Sequence, residues 1–173
     1  MSTAGLNFCP QCAGSLQVRD AGHPASPHPV CTACGFVLWQ NLKASVEALV
    51  VRGTGAGTEV LLGRLGVGLS QGLWDIPGGF LNADDRLHDA LRRECLREMG
   101  VGVEIGNLLG VFEGEFMGAR IITIIYVCTI ASGQPRAADI IDEVRWFALA
   151  ATPPVAYPAV GEALGALRGR VVG

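Results

Sequence analysis

The chain has 173 residues with a formal charge of −3 at pH 7, and half of its residues are hydrophobic. A chain of this length can bury one core and carry a small appendage, and its hydrophobic content excludes a disordered protein. The small negative charge argues against a general nucleic-acid-binding protein, because such a protein needs a basic surface.

Four of the six cysteines form two pairs near the N-terminus. Two residues separate Cys9 from Cys12 and Cys31 from Cys34, and eighteen residues lie between the pairs. Two knuckles with this spacing offer four thiolates to one tetrahedral zinc ion. The alternative, two disulfides in a secreted domain, is disfavoured because no secretory signal is visible. We therefore predict a zinc ribbon over residues 1–40, with Zn²⁺ in a structural role.

Beyond the ribbon, apolar segments alternate with turn residues. The predicted elements are a strand at 44–52, its return strand at 58–64, paired strands at 107–116 and 120–130, a short strand entered from an acidic loop at 139–147, and a closing helix at 159–168. The strand at 120–130 is apolar nearly throughout, so we expect both of its faces to be buried. This order predicts an α/β fold over residues 41–173, in which helices pack on a mixed sheet.

The sequence of residues 77–101 predicts a loop followed by a helix that ends at a glycine. Asp84 and Asp85 suit the helix N-terminus, and the apolar stripe consists of Leu87, Ala90, Leu91 and Cys95. Glu94 and Glu98 lie one turn apart on the charged sector. Carboxylates at this spacing repel each other unless a hydrogen-bond network or a cation, such as a divalent metal, separates them. The alternative is an ordinary solvated helix face, which is more common for an arbitrary helix.

The same stretch resembles the signature of the Nudix hydrolases. That signature reads Gly, five residues, Glu, seven residues, Arg-Glu, an aliphatic, any residue, Glu-Glu, any residue, Gly and an aliphatic. The residues in register are Gly79, Arg93, Glu94, Cys95, Glu98, Gly100 and Val101. Two positions depart from it, since Asp85 replaces the first Glu and Arg97 replaces the first member of the Glu pair. The second change reverses a charge in the group that holds the metals in the family.

The resemblance extends over nearly the whole chain. The matching features are Cys-Pro-x-Cys, a second knuckle ending in Cys-Gly-Phe, an Asn-x-Lys step, Trp-Asp-Ile-Pro-Gly-Gly, a late Arg-Trp-Phe and a proline-rich connector to a terminal helix. Together they are similar to the zinc-ribbon-bearing Nudix proteins. This similarity implies a Nudix-type mixed sheet flanked by helices and hydrolysis of a nucleoside diphosphate linked to another group, such as ADP-ribose or a dinucleotide. Residues 111–118 lack the Ser-Gln-Pro-Trp motif of the NADH-cleaving branch, so NADH specificity is not supported.

The resemblance also implies residue roles. Glu94, Glu98 and Arg93 are the catalytic residues that it implies. Mg²⁺ or Mn²⁺ would be bound by Glu94, Glu98 and the backbone of Gly78. Gly79, Asp85 and Gly100 would support the motif. Metal ions neutralise phosphate oxygens and lower the pKa of a bound water, which is the chemistry that diphosphate hydrolysis needs. Substrate-binding residues are not identified by the resemblance.

Arg97 is the main departure from this expectation, because a guanidinium cannot ligate a cation and repels a nearby divalent ion. The metal site could bind fewer ions and turn over slowly, Arg97 could contact the substrate phosphates, or catalysis could be lost while nucleotide binding survives. Loop acids could supply the missing carboxylate, and the candidates are Glu113, Glu115, Asp139, Asp142 and Glu143.

We therefore interpret the sequence as a metal-dependent nucleoside-diphosphate hydrolase weakened by Arg97, acting on a small-molecule nucleotide. One alternative is a non-catalytic nucleotide-diphosphate sensor. The other is a nucleic-acid-binding ribbon protein, which is disfavoured because residues 1–40 contain only Arg19 as a basic side chain. With no run of about eighteen apolar residues and no leader pattern, we expect a cytoplasmic protein without a membrane partner. The sequence does not decide whether the protein forms a homodimer.

Overall fold

The computed structural model describes residues 6–20, 27–39 and 41–172. The chain divides into two compact units, Met1–Asn41 and Leu42–Gly173. In the first, which we call the ribbon unit, β1 (Leu16–Arg19) pairs antiparallel with β2 (His28–Cys31). Cys9, Leu16 and Cys31 form a buried apolar cluster in this unit, with Phe36 and Leu38 packed against it. A core this small adds little stability, so the ribbon unit depends on a cross-link or a bound metal.

The second unit carries the remaining elements. They are β3 (Lys43–Arg52), β4 (Glu59–Leu65), β5 (Trp74–Asp75), β6 (Gly78–Phe80), α1 (Leu87–Met99), β7 (Val101–Phe116), β8 (Ala119–Gly133), β9 (Ile141–Ala148) and α2 (Pro158–Val172). The strands form one sheet in the order β5-β4-β3-β8-β7, with β6 paired to β3 and β9 paired to β4. Strands β3 and β8 run parallel, whereas β7 and β8 run antiparallel. The predicted mixed sheet is thereby confirmed.

The two helices cover opposite faces of the sheet. Successive side chains of a strand point to opposite faces, and in β3 Val46, Ala48 and Val50 belong to the cluster that contains α1, whereas Leu49 belongs to the cluster that contains α2. The α1 side contributes Ala90, Leu91, Cys95 and Met99, and the α2 side contributes Val160, Ala163, Leu164 and Leu167. Helices therefore flank the sheet, as the sequence predicts. Among the helices of the described residues, none is long and apolar enough to cross a bilayer.

Several element boundaries differ from the sequence prediction. Strand β7 begins at Val101, directly after the helix, because Val101 and Val103 alternate with less buried residues and join the α1 core. The expectation that both faces of β8 are buried is only half correct. Thr123, Ile125 and Cys128 are fully buried, whereas the intervening residues are partly buried.

The sequence predicts the C-terminal end of α1 correctly but not its N-terminal cap. Arg86 precedes the helix, and its side chain makes no capping hydrogen bond. Asp85 instead accepts a hydrogen bond from the backbone N–H of Asn82 at 2.9 Å, so the expected acidic cap is wrong. The glycine stop is confirmed, since Gly100 has φ +66 and its N–H bonds to the carbonyls of Cys95 and Leu96.

Leu91 anchors α1 to the sheet and is fully buried, whereas Leu96 on the same helix is 59% exposed. We expect Leu91→Ala to lower the free energy of unfolding by about 2–5 kcal/mol, because it removes buried methyl groups and leaves a cavity. Leu96→Ala is the matched control and should change it by less than about 0.5 kcal/mol. Urea unfolding followed by circular dichroism measures both, and equal effects would contradict the packing described here.

Candidate active site and four-cysteine cluster

The Pro-Gly-Gly stretch is a bend at Pro77 followed by the first two residues of strand β6, so the loop predicted from residue 77 begins only after Phe80. This stretch, which we call the Pro-Gly-Gly turn, brings strand β3 and helix α1 into close approach. Gly78 lies opposite Glu47 in the β3–β6 pairing, and a Cβ on Gly78 would lie 2.4 Å from Cγ of Glu47. A Cβ on Gly79 would lie 3.3 Å from Cδ of Glu94. Side chains larger than hydrogen would therefore separate the carboxylates that these two elements carry. Glycine is needed for space at position 78, where a Cβ would also lie 2.5 Å from the carbonyl oxygen of Val46, whereas a Cβ at position 79 would require only a small shift of the Glu94 side chain.

Glu98 is the most buried carboxylate of α1, at 3% exposure. Its Oε2 accepts a hydrogen bond from the backbone N–H of Gly78 at 3.1 Å. Burial raises the pKa of Glu98 to about 7, although this hydrogen bond opposes the rise. Gly78 therefore contacts the helix through its N–H, and ligation of a metal by its backbone stays a prediction.

Arg97 lies between three carboxylates. Its Nε donates to Oε2 of Glu94 at 2.8 Å, and its Nη2 donates to Oε1 of Glu98 at 3.0 Å. Its Nη1 donates to Oδ2 of Asp139. The guanidinium thus supplies the positive charge that keeps Glu94 and Glu98 together. It occupies the place between them where the resemblance implies a divalent ion.

The loop before β9 is fixed to the end of α1. The N–H of Ala138 donates to the carbonyl of Glu98 at 3.1 Å, and the N–H of Arg136 donates to the carbonyl of Met99 at 3.0 Å. Asp139 follows with φ +54, a left-handed conformation that a non-glycine residue adopts at some cost. These contacts bring the Asp139 carboxylate to Arg97, which is 42 residues away in the sequence.

Arg93 faces the other side of Glu94. It forms a bidentate pair with Asp85, with Nη1 to Oδ1 at 2.8 Å and Nη2 to Oδ2 at 3.2 Å. Its Nε donates to Oε1 of Glu94 at 3.2 Å. The hydrogen bond from Arg93 is the main cause that lowers the pKa of Asp85 to about 2. Glu94 is therefore held from both sides, and the catalytic role of Arg93 stays a prediction.

The other candidate loop acids have different partners. Asp142 and Glu143 pair with Arg64 at 2.9 and 3.3 Å, and Glu113 pairs with Arg120 at 2.9 Å. Glu115 lines a cavity beside the Pro-Gly-Gly turn. Of the five candidates, Asp139 is the one that the structure joins to the α1 carboxylates, through the Arg97 guanidinium that all three share.

Sequence reasoning missed two acidic residues of that cavity, Glu47 and Asp75. Burial raises the pKa of Glu47 well above its ordinary value, and repulsion from Asp75 and Glu98 adds to the rise. Burial also raises the pKa of Asp75 to about 7, with a contribution from Glu98 and against a hydrogen bond from Ile76 N–H. Glu47 gave a usable signal, because it is a charged residue inside the apolar strand predicted at 44–52.

The four predicted zinc ligands come together in the ribbon unit. The Sγ atoms of Cys9 and Cys34 are 3.7 Å apart, those of Cys12 and Cys31 are 3.5 Å apart, and all four lie within 4.8 Å of one another. Sulfurs bound about 2.3 Å from one tetrahedral zinc lie about 3.8 Å apart, so the donor set fits Zn²⁺. These separations are too long for disulfides.

Backbone N–H groups favour the thiolate form of Cys31. The N–H groups of Ala33 and Cys34 point to Sγ of Cys31 at 3.4 and 3.5 Å. The bond from Cys34 is the main cause that lowers the pKa of Cys31 to about 6. Within the described ranges, no group of three or more carboxylates places its oxygen atoms as close together as the four sulfur atoms of this cluster.

Comparisons with known proteins identify the family of the second unit. Residues 42–164 match the model of the NUDIX domain. The chain is 26% identical over 152 residues to the NAD-capped RNA hydrolase NudC of Chromobacterium violaceum, which covers 87% of this chain and 53% of that protein. It is 28% identical over 89 residues to the ADP-ribose pyrophosphatase of Methanocaldococcus jannaschii, which covers 50% of this chain and 53% of that protein. The chain thus spans about half the length of these relatives.

The fold is also similar to that of a solved protein. The crystal structure of a NUDIX hydrolase from Nitrosomonas europaea superposes with a TM-score of 0.77 at 23% identity, over 94% of this chain and 89% of that one. This likeness supports the fold alone. Because the domain model matches residues 42–164, well over half of the chain, the protein belongs to the NUDIX family.

Proposed function

We propose that the protein hydrolyses a nucleoside diphosphate linked to a second moiety, with an ADP-ribose-like molecule or a dinucleotide as substrate class. The observation that carries this proposal is the placement of Glu94 and Glu98 together beside the Pro-Gly-Gly turn, at matching positions of the family signature. The relatives named as an ADP-ribose pyrophosphatase and an NAD-capped RNA hydrolase support the substrate class.

Glu94 and Glu98 would hold Mg²⁺ or Mn²⁺, which supplies charge neutralisation and an acidified water when bound. The donor set fits such an ion only after Arg97 withdraws, because the guanidinium now bonds to both glutamates. In the arrangement described, Arg97 neutralises the carboxylates, and Gly78 N–H fixes the orientation of Glu98. Arg93 keeps Glu94 in place from the opposite side.

The position of Arg97 favours a second candidate function, a non-catalytic sensor of nucleotide diphosphates. A guanidinium can form charge-assisted hydrogen bonds with a diphosphate. Arg97 is 45% exposed and can therefore reach a ligand without a change in the core. The two candidates differ in turnover, which the experiments below measure.

For the ribbon unit, we propose one structural Zn²⁺ held by its four cysteines. The fit of the four sulfur positions to a tetrahedron supports this assignment. A nucleic-acid-binding role for the ribbon unit has little support. Arg19, the basic residue in this part of the sequence, points to the carbonyl of Cys31 at 3.5 Å.

The hydrolase proposal is tested by Glu98→Gln, which removes a charge and almost no volume. We expect kcat/KM for ADP-ribose with Mg²⁺ or Mn²⁺ to fall at least about a hundredfold, since even indirect contacts of metal sites contribute 10–100-fold. Glu104→Gln, an exposed glutamate of β7, is the control and should retain wild-type kinetics. Wild-type rates in Glu98→Gln, with an unchanged circular dichroism spectrum, would contradict the proposal.

The zinc proposal predicts one zinc per chain in protein purified without chelator. Cys12→Ser should lose it and lower the thermal stability of the ribbon unit, because the metal supplies much of that unit's folding free energy. Elemental analysis by mass spectrometry measures the stoichiometry. Cys128→Ala, a core cysteine of the second unit, should keep one zinc. Disulfides among the four cysteines, or zinc-free wild-type protein, would refute the assignment.

The role of Arg97 is tested by Arg97→Glu. If the guanidinium blocks the metal, the substitution should tighten Mn²⁺ binding at least about tenfold, equivalent to about 1.4 kcal/mol, and raise kcat. Arg92→Glu, on the same helix but paired with Asp89, is the control and should leave both unchanged. Unchanged Mn²⁺ affinity with a raised KM would instead mean that Arg97 binds the substrate phosphates.

A further inference from the structure

A cavity of about 190 Å³ lies beside the Pro-Gly-Gly turn, between β3 and the start of α2. This is more than ten times the roughly 10–15 Å³ that admits one water, so a molecule larger than a single ion fits there. Its acidic lining residues are Glu47, Asp75, Glu98 and Glu115. Among the described residues that line it, there is no Lys, Arg or His. The cavity therefore offers a phosphate group no positive partner, whereas its carboxyl oxygens can accept hydrogen bonds from N–H donors.

Glu47 offers the cavity an unused acceptor. Its Oε2 is buried and has no hydrogen-bond partner within the described part of the chain. A buried acceptor without a partner is costly, so a donor bound in the cavity would relieve that cost if the Glu47 carboxyl group rotates toward it. The pairing of Glu47 with Gly78 in the β3–β6 ladder fixes the position of its backbone at the cavity wall.

Aromatic side chains form another wall. The ring centroids of Phe80 and Phe116 are 5.5 Å apart, and those of Phe116 and Tyr157 are 6.1 Å apart, both in edge-to-face arrangements. Rings arranged in this way leave π-faces and edges available to a further planar ring. The remaining lining is mainly aliphatic, with Ile121, Ile140 and Ile141 among it. An apolar wall of this kind suits a flat heterocycle and not a hydrated ion.

We propose that this cavity is the subsite for an amino-bearing planar heterocycle, an aminopurine or aminopyrimidine, and that Glu47 determines specificity by accepting its exocyclic N–H. The inference rests on the proposed function in one respect, namely that the heterocycle is the base of the nucleotide substrate. A carboxyl group has an oxygen that can accept an N–H whether or not the group is protonated, so Glu47 favours an amino group over a hydrogen at the same ring position. A site with a dedicated buried acceptor rejects analogues that leave the acceptor without a partner.

The test measures binding alone, by calorimetry without Mg²⁺ or Mn²⁺. The probes are two matched pairs of nucleoside 5′-monophosphates: AMP against purine riboside monophosphate, and GMP against IMP. Each pair differs by one exocyclic amino group. We expect the amino form of at least one pair to bind wild-type protein at least about tenfold tighter. In Glu47→Leu, that ratio should fall below about twofold.

Two further variants keep the result interpretable. Glu104→Leu, the same change at an exposed position of β7, should retain the wild-type ratio. Glu47→Met is similar to Glu in side-chain length and lacks an N–H acceptor of comparable strength, so it should lower the ratio if Glu47→Leu does not fold. Equal binding within both pairs, or an unchanged ratio in both Glu47 variants, would overturn the inference. Because no turnover is involved, absent hydrolysis with a preserved ratio would refute only the hydrolase proposal, and hydrolysis without amino preference would refute only this one.

Discussion

The charged side of α1 depends on one guanidinium that three carboxylates surround. Arg97 bonds to Glu94, Glu98 and Asp139, so it fixes two residues of its own helix and the loop before β9. Without a positive charge between them, Glu94 and Glu98 would repel each other across one turn of helix. In the family signature a metal has this place, and here a side chain supplies an equivalent charge from within the fold. Access of any other cation to these carboxylates is therefore a competition with Arg97.

For the carboxylates on the cavity side of α1, burial outweighs such compensation, and their protonation is linked to stability. Burial raises the pKa values of Asp75 and Glu98 to about 7, whereas unfolded carboxyls titrate near 4. Between about pH 4 and pH 7 the native state therefore binds protons that the unfolded state releases, so the contribution of these groups to stability falls as the pH rises through this window. A ligand that brings N–H donors or positive charge to them offsets that cost. Ligand binding in the cavity and stability of the native state are coupled for this reason.

Local sequence patterns predicted the parts of the fold that local physics determines. The Cys spacing predicted the cluster in the ribbon unit, and the period of α1 with its stop at Gly100 predicted the helix. The contact between Arg97 and Asp139 was not predictable, because a loop fixed to the end of α1 brings together residues far apart in sequence. The same holds for Glu47 and Asp75, which become neighbours of Glu98 only when β3, the Pro-Gly-Gly turn and α1 pack together. Glu47 is a single charged residue within an apolar strand, which indicates a special role, but its neighbours in the site are far from it in sequence and could not be predicted.

Glu98 connects the two charge environments. Its Oε1 accepts from Arg97, its Oε2 accepts from Gly78 N–H, and the residue also lines the cavity. On one side, the guanidinium groups of Arg93 and Arg97 are paired with carboxylates, so this side attracts an anion only once a divalent cation is bound there. On the other side, the described lining of the cavity has no basic side chain to pair with an anion. On the proposed function, the ion held by Glu94 and Glu98 and the hydrogen-bond acceptors of the cavity would together orient a nucleotide, with its phosphates at the ion and its base in the cavity. The diphosphate then lies beside Glu94 and Glu98, where the family signature places the chemistry.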